Sequence, residues 1–165
     1  MTSLLATVIL AVVMVAIPIA PAHRHLVVNL TASMPRGLYL LSRDRSPREH
    51  EIVVVRLSPA ANAIAVSRGY LAAHHPVLKR VAGVAGDRIC RFGGAVSING
   101  RPAAIARARD RTDRALPRWH GCLHLRPRQL FVLGAAAGSF DSRYFGVIDQ
   151  SAIVGIAHPV WIIHP

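Results

Sequence analysis

The chain has 165 residues, room for one domain and little else, and it contains no fixed-period repeat or long low-complexity tract. At 52% hydrophobic it has ample material for a packed core. Its formal charge of +12 comes with only 5% aromatic residues and no nucleic-acid motif, so the basic side chains read as a solvated surface and no specific nucleic-acid partner is expected.

The first predicted element is the run from Leu4 to Ala22, LLATVILAVVMVAIPIAPA, which carries no charge. As a helix it would span about 28 Å at ~1.5 Å per residue, close to the ~30 Å hydrocarbon core of a bilayer. Pro18 and Pro21 would bend or end it at its far end. Residues 1–23 are therefore expected to be a transmembrane anchor and 24–165 a single domain beyond it. A cleaved signal segment is the rival, because Ala20-Pro21-Ala22 is a small-residue pattern. The absence of a preceding Lys or Arg and the length of the run favour the anchor. Arg24, Arg36, Arg43, Arg45 and Arg48 follow it, and the positive-inside rule alone would keep them cytoplasmic. That rule is a bias, and folded domains cross despite it.

Beyond the anchor, residues 25–30 read as a short strand and residues 37–41 as another, followed by a polar loop over 42–50. EIVVVRL (51–57) is a strong β-branched strand. Ser58-Pro59 looks like a helix start, with serine as cap and proline in the first turn; an alanine-rich helix would run to about Arg68 and stop at Gly69. Residues 76–81 are an apolar run carrying Lys79. Gly83 and Gly86-Asp87 mark turns, 88–92 and 95–98 read as strands, and Asn99-Gly100 is a hairpin turn. Residues 101–117, arginine-rich and weakly apolar, predict a flexible excursion. Strands are expected at 129–134, 153–156 and 160–163. Short strands, many turns and one helix predict a mainly β domain.

Three places carry possible chemistry. Of 20 Lys and Arg residues a single one, Lys79, is lysine. Arginine stays charged in proteins, whereas a buried lysine can lose its proton near neutral pH, so this residue is a candidate for work arginine cannot do. Ser33 lies in a turn before Met34-Pro35, and a lysine in an apolar stretch can accept a serine proton, the Ser–Lys form of nucleophilic catalysis. In Ser139-Phe140-Asp141-Ser142-Arg143-Tyr144-Phe145-Gly146, Asp141 and Arg143 fall on one side of an extended segment and can pair. Cys90 and Cys122 suggest one disulfide in an exported domain, with two buried thiols as the alternative. His120, Cys122 and His124 cluster but lack the fourth ligand and CxxC-like spacing of a zinc site, so no metal and no cofactor is expected. The nine histidines read as surface residues.

Taken together these blocks resemble the type I signal peptidases, and within them the TraF branch that serves conjugative transfer. The resemblance rests on the N-terminal apolar run, on Ser33-Met34-Pro35-Arg36-Gly37, on Leu78-Lys79-Arg80-Val81-Ala82-Gly83 with Gly86-Asp87, and on the box at 139–146. The SMPRG form is that of the TraF branch. It implies a signal peptidase/LexA-like β-sheet catalytic domain on one N-terminal transmembrane helix. Ser33 would be the nucleophile and Lys79 the base. The Ser33 N–H and the Thr31 hydroxyl would form the oxyanion hole, Ser139 would hold Lys79, and Asp141 with Arg143 would be a supporting ion pair. One departure stands out. Ordinary signal peptidases have Gly-Asp-Asn before the last box, and here the chain reads Gly134-Ala135-Ala136-Ala137-Gly138.

The implied partners are a pilin precursor, or another peptide bearing a signal sequence, and the lipid of the bacterial inner membrane, with the catalytic domain on the periplasmic side. The implied reaction is endoproteolysis, with cyclisation of the pilin as a variant outcome. Two other readings remain at this point: a general signal peptidase serving exported proteins at large, and a non-enzymatic basic membrane protein binding nucleic acid or anionic lipid.

Overall fold

A computed structural model describes residues 25–72 and 75–163. The expected anchor, residues 1–23, lies outside the described residues. Within them no helix is long and apolar enough to cross a membrane.

Among the described residues eleven strands form two antiparallel sheets. The larger holds β1 (His25–Asn29), β2 (Gly37–Ser42), β3 (Ile52–Val55), β4 (Val77–Gly83), β9 (Gln129–Leu133), β10 (Ile148–Asp149) and β11 (Ile153–Ile162), in the order β1-β2-β11-β3-β4-β9-β10. The smaller holds β5 (Arg88–Phe92), β6 (Ala95–Ile98), β7 (Arg101–Ile105) and β8 (Gly121–His124), in the order β7-β6-β5-β8. A mainly β domain is thus what the chain builds.

Alternation along the central strands divides the core. On β3, Val53 and Val55 join Val81, Leu130, Val132, Ile153 and Ile156 on one face. Val54 goes to the other face with Met34, Tyr39, Leu41, Leu78 and Ala157. A third cluster, around Ile89, Val96, Leu116, Phe131 and Tyr144, joins the small sheet to β9. Successive strand residues point to opposite faces, so a continuous β-branched run such as IVVV is the pattern of a strand buried on both.

Helix α1 (Pro59–Ser67) starts where its cap signals place it: Ser58 Oγ accepts from the Ala61 N–H at 3.3 Å, and the chain leaves through Gly69 at φ 70°. Gly37 has a different task. A Cβ there would lie 3.0 Å from the Ile162 Cα and closer still to the Trp161 carbonyl, so only glycine lets β2 pass the end of β11.

Four expectations need correction. Residues 153–162 are one long strand, β11, and not two; a bulge between Pro159 and Trp161 lets the strand run on past the proline. Residues 101–117 are not a flexible excursion. They open with β7 and are then pinned by Asp110, whose carboxylate accepts from the Tyr70 hydroxyl (2.5 Å), from the N–H and hydroxyl of Thr112 (3.0 and 2.9 Å), and from the Arg114 N–H and Nε (3.0 and 2.8 Å). Residues 121–124, which gave no strand signal, pair with β5 as β8. The segment carrying Asp141 and Arg143 is not extended: Ser142–Phe145 form a short helix, α2, because Asp141 caps it by accepting from the Arg143 N–H.

Candidate active site

Lys79 lies on β4 directly opposite Val53 of β3. It points to the face of Val53 and Val81, two fully buried residues, and is itself 3% exposed. Arg80, next along the strand, faces outward and donates to the His50 carbonyl at 3.0 Å. Burial pushes the Lys79 ammonium down from its ordinary value to about 8, against the pull of the Asp141 carboxylate and with a small push from Arg143. Its Nζ donates to Ser139 Oγ at 3.0 Å, a hydroxyl that is also buried.

Ser139 stands beside Gly134. A Cβ on Gly134 would lie 3.0 Å from the Ser33 carbonyl oxygen and closer still to Ser139 Oγ and Cβ. The next residue, Ala135, donates its N–H to that same Ser33 carbonyl at 2.6 Å. The turn that opens at Gly134 therefore touches Ser33 and Ser139, and Ser139 holds Lys79. Residues far apart in sequence meet around one glycine.

Asp141 and Arg143 fix the turn from beneath. Both are buried, with Nη2 to Oδ2 at 2.5 Å and Nε to Oδ1 at 2.8 Å. Asp141 Oδ2 also accepts from the Gly134 N–H at 2.8 Å. Arg143 donates to the carbonyls of Gly134, Ala136 and Ala137 at 3.3, 3.0 and 3.2 Å. A paired, fully hydrogen-bonded arginine of this kind is a geometric clamp.

Ser33 sits between β1 and β2. Its Oγ is 2.8 Å from Thr31 Oγ1, and Thr31 donates its hydroxyl proton to Asn29 Oδ1 at 2.8 Å. The Thr31 hydroxyl has one hydrogen, so in the Ser33–Thr31 contact Ser33 is the donor.

The turn at Gly134 thus brings the loop of Ser33 against Ser139, the hydroxyl that accepts from the buried Lys79. Over residues 1–162 the chain matches the family described as signal peptidase, peptidase S26. It belongs to that family. As a member of the peptidase S26 family it is a serine peptidase of the signal peptidase type.

Relatives agree. Conjugal transfer protein TraF of Agrobacterium fabrum is 34% identical over 149 residues, 84% of this chain and 83% of that one. Probable conjugal transfer protein TraF of Sinorhizobium fredii is 33% identical over 84% of this chain and 78% of its own. Plasmid transfer protein TraF of Escherichia coli is 30% identical over 81% of each. Among solved structures, a signal peptidase I from Enterococcus faecalis matches 67% of this chain and 96% of its own at 21% identity, with a TM-score of 0.40.

Reading the S26 sequence alone overlooks four residues at this site. Asn29 and Gly134 act through contacts that only the fold creates. Arg91 is 2% exposed; it donates to the Arg143 carbonyl and to that of Gly93, and lies 5.9 Å from the Trp119 ring centre. Trp119 Nε1 donates to the Ser142 carbonyl at 3.2 Å. Both reach α2 from the small sheet and its flank, and no spacing rule links them to it.

Cys90 and Cys122 face each other across β5 and β8 and form a disulfide, away from the Lys79 site. The described histidines are exposed, and His120 packs edge-on against Phe92.

Proposed function

We propose that this chain is a membrane-anchored Ser/Lys endopeptidase that cleaves a pilin precursor for conjugative transfer, with Ser33 as nucleophile and Lys79 as general base. The observation that carries the reading is Lys79: a buried lysine with its pKa lowered to about 8, held by Ser139 beside the turn that grips Ser33. The names of the conjugal and plasmid transfer relatives support a role in conjugative transfer.

In this mechanism neutral Lys79 takes the proton from Ser33 Oγ as the oxygen attacks the scissile carbonyl. The oxyanion is met by the Ser33 N–H and by the Thr31 hydroxyl once that group turns away from Asn29. Losing one such donor typically costs about 2.7–4 kcal/mol of transition-state stabilisation. Lys79 then returns the proton to the leaving amine. The acyl-enzyme is released by water, or by the pilin's own amino terminus to give a cyclic product. The peptide binds extended, as an added strand with small pockets for alanine-like side chains. The apolar run at 4–22 anchors the enzyme in the inner membrane, with the catalytic domain in the periplasm.

We predict that Ser33→Ala and Lys79→Arg each abolish processing of a pilin precursor while the protein stays folded and in the membrane. Processing that survives Lys79→Arg would sink the mechanism, since arginine cannot serve as the base. Equal cleavage of generic preproteins would point to a general signal peptidase. Salt-dependent DNA or lipid binding, with indifference to Ser33→Ala, would point to a non-enzymatic protein.

A further inference from the structure

Asn29 ends β1 and is 5% exposed, and its side chain hydrogen-bonds to the loop that carries Ser33. Nδ2 donates to the carbonyls of Thr31, Met34 and Pro35 at 3.1, 3.0 and 3.0 Å, so its two hydrogens serve three acceptors. Oδ1 accepts from the Thr31 N–H at 3.2 Å and from the Thr31 hydroxyl at 2.8 Å. Every polar valence of the carboxamide is occupied, and the pattern fixes which end is oxygen. Tyr39 adds a bond from its hydroxyl to the Pro35 carbonyl at 2.6 Å. An asparagine at a strand end is ordinarily a turn former; this one has the nucleophile inside its turn.

We propose that Asn29 is a positioning residue for Ser33, acting through Thr31. This rests on the Ser33/Lys79 reading above and adds to it. The Nδ2 bonds close the loop, so the Ser33 backbone is held against Ala135. The Oδ1 bond takes the only Thr31 hydroxyl hydrogen, so Thr31 presents a lone pair and the Ser33 proton points at it. The resting hydroxyl is thereby fixed in direction. Attack then requires two coupled moves: the Ser33 proton leaves Thr31 for Lys79, and the Thr31 hydroxyl swings from Asn29 towards the developing oxyanion. Asn29 sets the starting point of both.

The test uses the full chain in detergent and a synthetic peptide spanning a pilin-precursor cleavage junction. Asn29→Ala is expected to lower kcat on the order of 100-fold, the penalty for a misplaced reacting group, with KM changed by less than about threefold. The loss is expected to shrink about tenfold in a Thr31→Val background and to persist in Thr31→Ser, because the two residues act on the same proton. A purely structural role would give the same fold-loss in all three backgrounds, and that result overturns the proposal. So does a folded Asn29→Ala with kcat within about threefold of the parent. If circular dichroism shows that Asn29→Ala does not fold, Asn29→Asp replaces it. That variant sets a carboxylate against three carbonyls and is expected to lose at least about tenfold in kcat at unchanged KM; an unchanged kcat again overturns the proposal. Ser33→Ala, run beside these, separates the two ideas. Activity in Ser33→Ala refutes the peptidase reading itself, whereas an inactive Ser33→Ala with an active Asn29→Ala refutes only the role of Asn29.

Discussion

Lys79 was legible before any fold was known, because a chain that writes its other cations as arginine leaves one lysine conspicuous. Its environment adds a consequence for stability. The unfolded chain holds the lysine proton to about pH 10.5, whereas the folded chain holds it only to about 8. Folded stability is therefore lowest below pH 8 and rises between about pH 8 and 10.5. Lys79→Met removes that penalty. Allowing for the lost bond to Ser139, we predict a gain of about 2 kcal/mol in urea unfolding at pH 7, falling through zero between about pH 8 and 10.5. A gain that does not depend on pH would contradict the placement of Lys79 in the core. Gly134 was not legible in the same way. In sequence it is one of five small residues, and only the fold brings Ser139 and Ser33 against its missing side chain. We predict that Gly134→Ala pushes Ser139 off Lys79 and lowers kcat by about tenfold or more, with the protein still folded. Wild-type kcat in that variant would show that Ser139 does not need its present position.

At the level of elements, the clamp around α2 shows what pattern reading reaches and what it does not. The Asp141–Arg143 pairing followed from their spacing, but the helix did not. Four residues are too short for a periodicity signal, and the cap that makes them helical is the same Asp141 that grips Gly134. The stretch after β7 hid its order similarly, since one carboxylate, Asp110, organises it through Tyr70 from another part of the chain. In the clamp both charges are buried, so breaking the pair leaves an uncompensated guanidinium. We predict that Asp141→Ala lowers unfolding free energy by about 3–5 kcal/mol, with loss of processing. A loss under about 1 kcal/mol in denaturant titration would mean that the turn at 134–138 is held by something else.

The molecule as a whole is two sheets that meet over α2. Arg91 on β5 and Trp119 just before β8 both reach α2, and β5 and β8 are joined by the Cys90–Cys122 disulfide. Closing a loop of 32 residues is worth about 3.7 kcal/mol in the chain-entropy account. Removing it by Cys90→Ala/Cys122→Ala should lower the thermal midpoint by several degrees and leave the pH dependence of processing unchanged. The mainly β class was readable from strand lengths and turn residues. The order β1-β2-β11-β3-β4-β9-β10 was not, because the last strand inserts between the second and third, a pairing that no local signal encodes.

The proposed chemistry needs Lys79 as a base in neutral form, and the pH dependence of kcat/KM for precursor cleavage tests that most directly. With Lys79 as base, activity rises with pH along a single limb centred at about 8, the point at which the buried ammonium loses its proton. A limb centred near 6.5, the ordinary histidine value, or activity that stays flat from about pH 6 to 9, would contradict it.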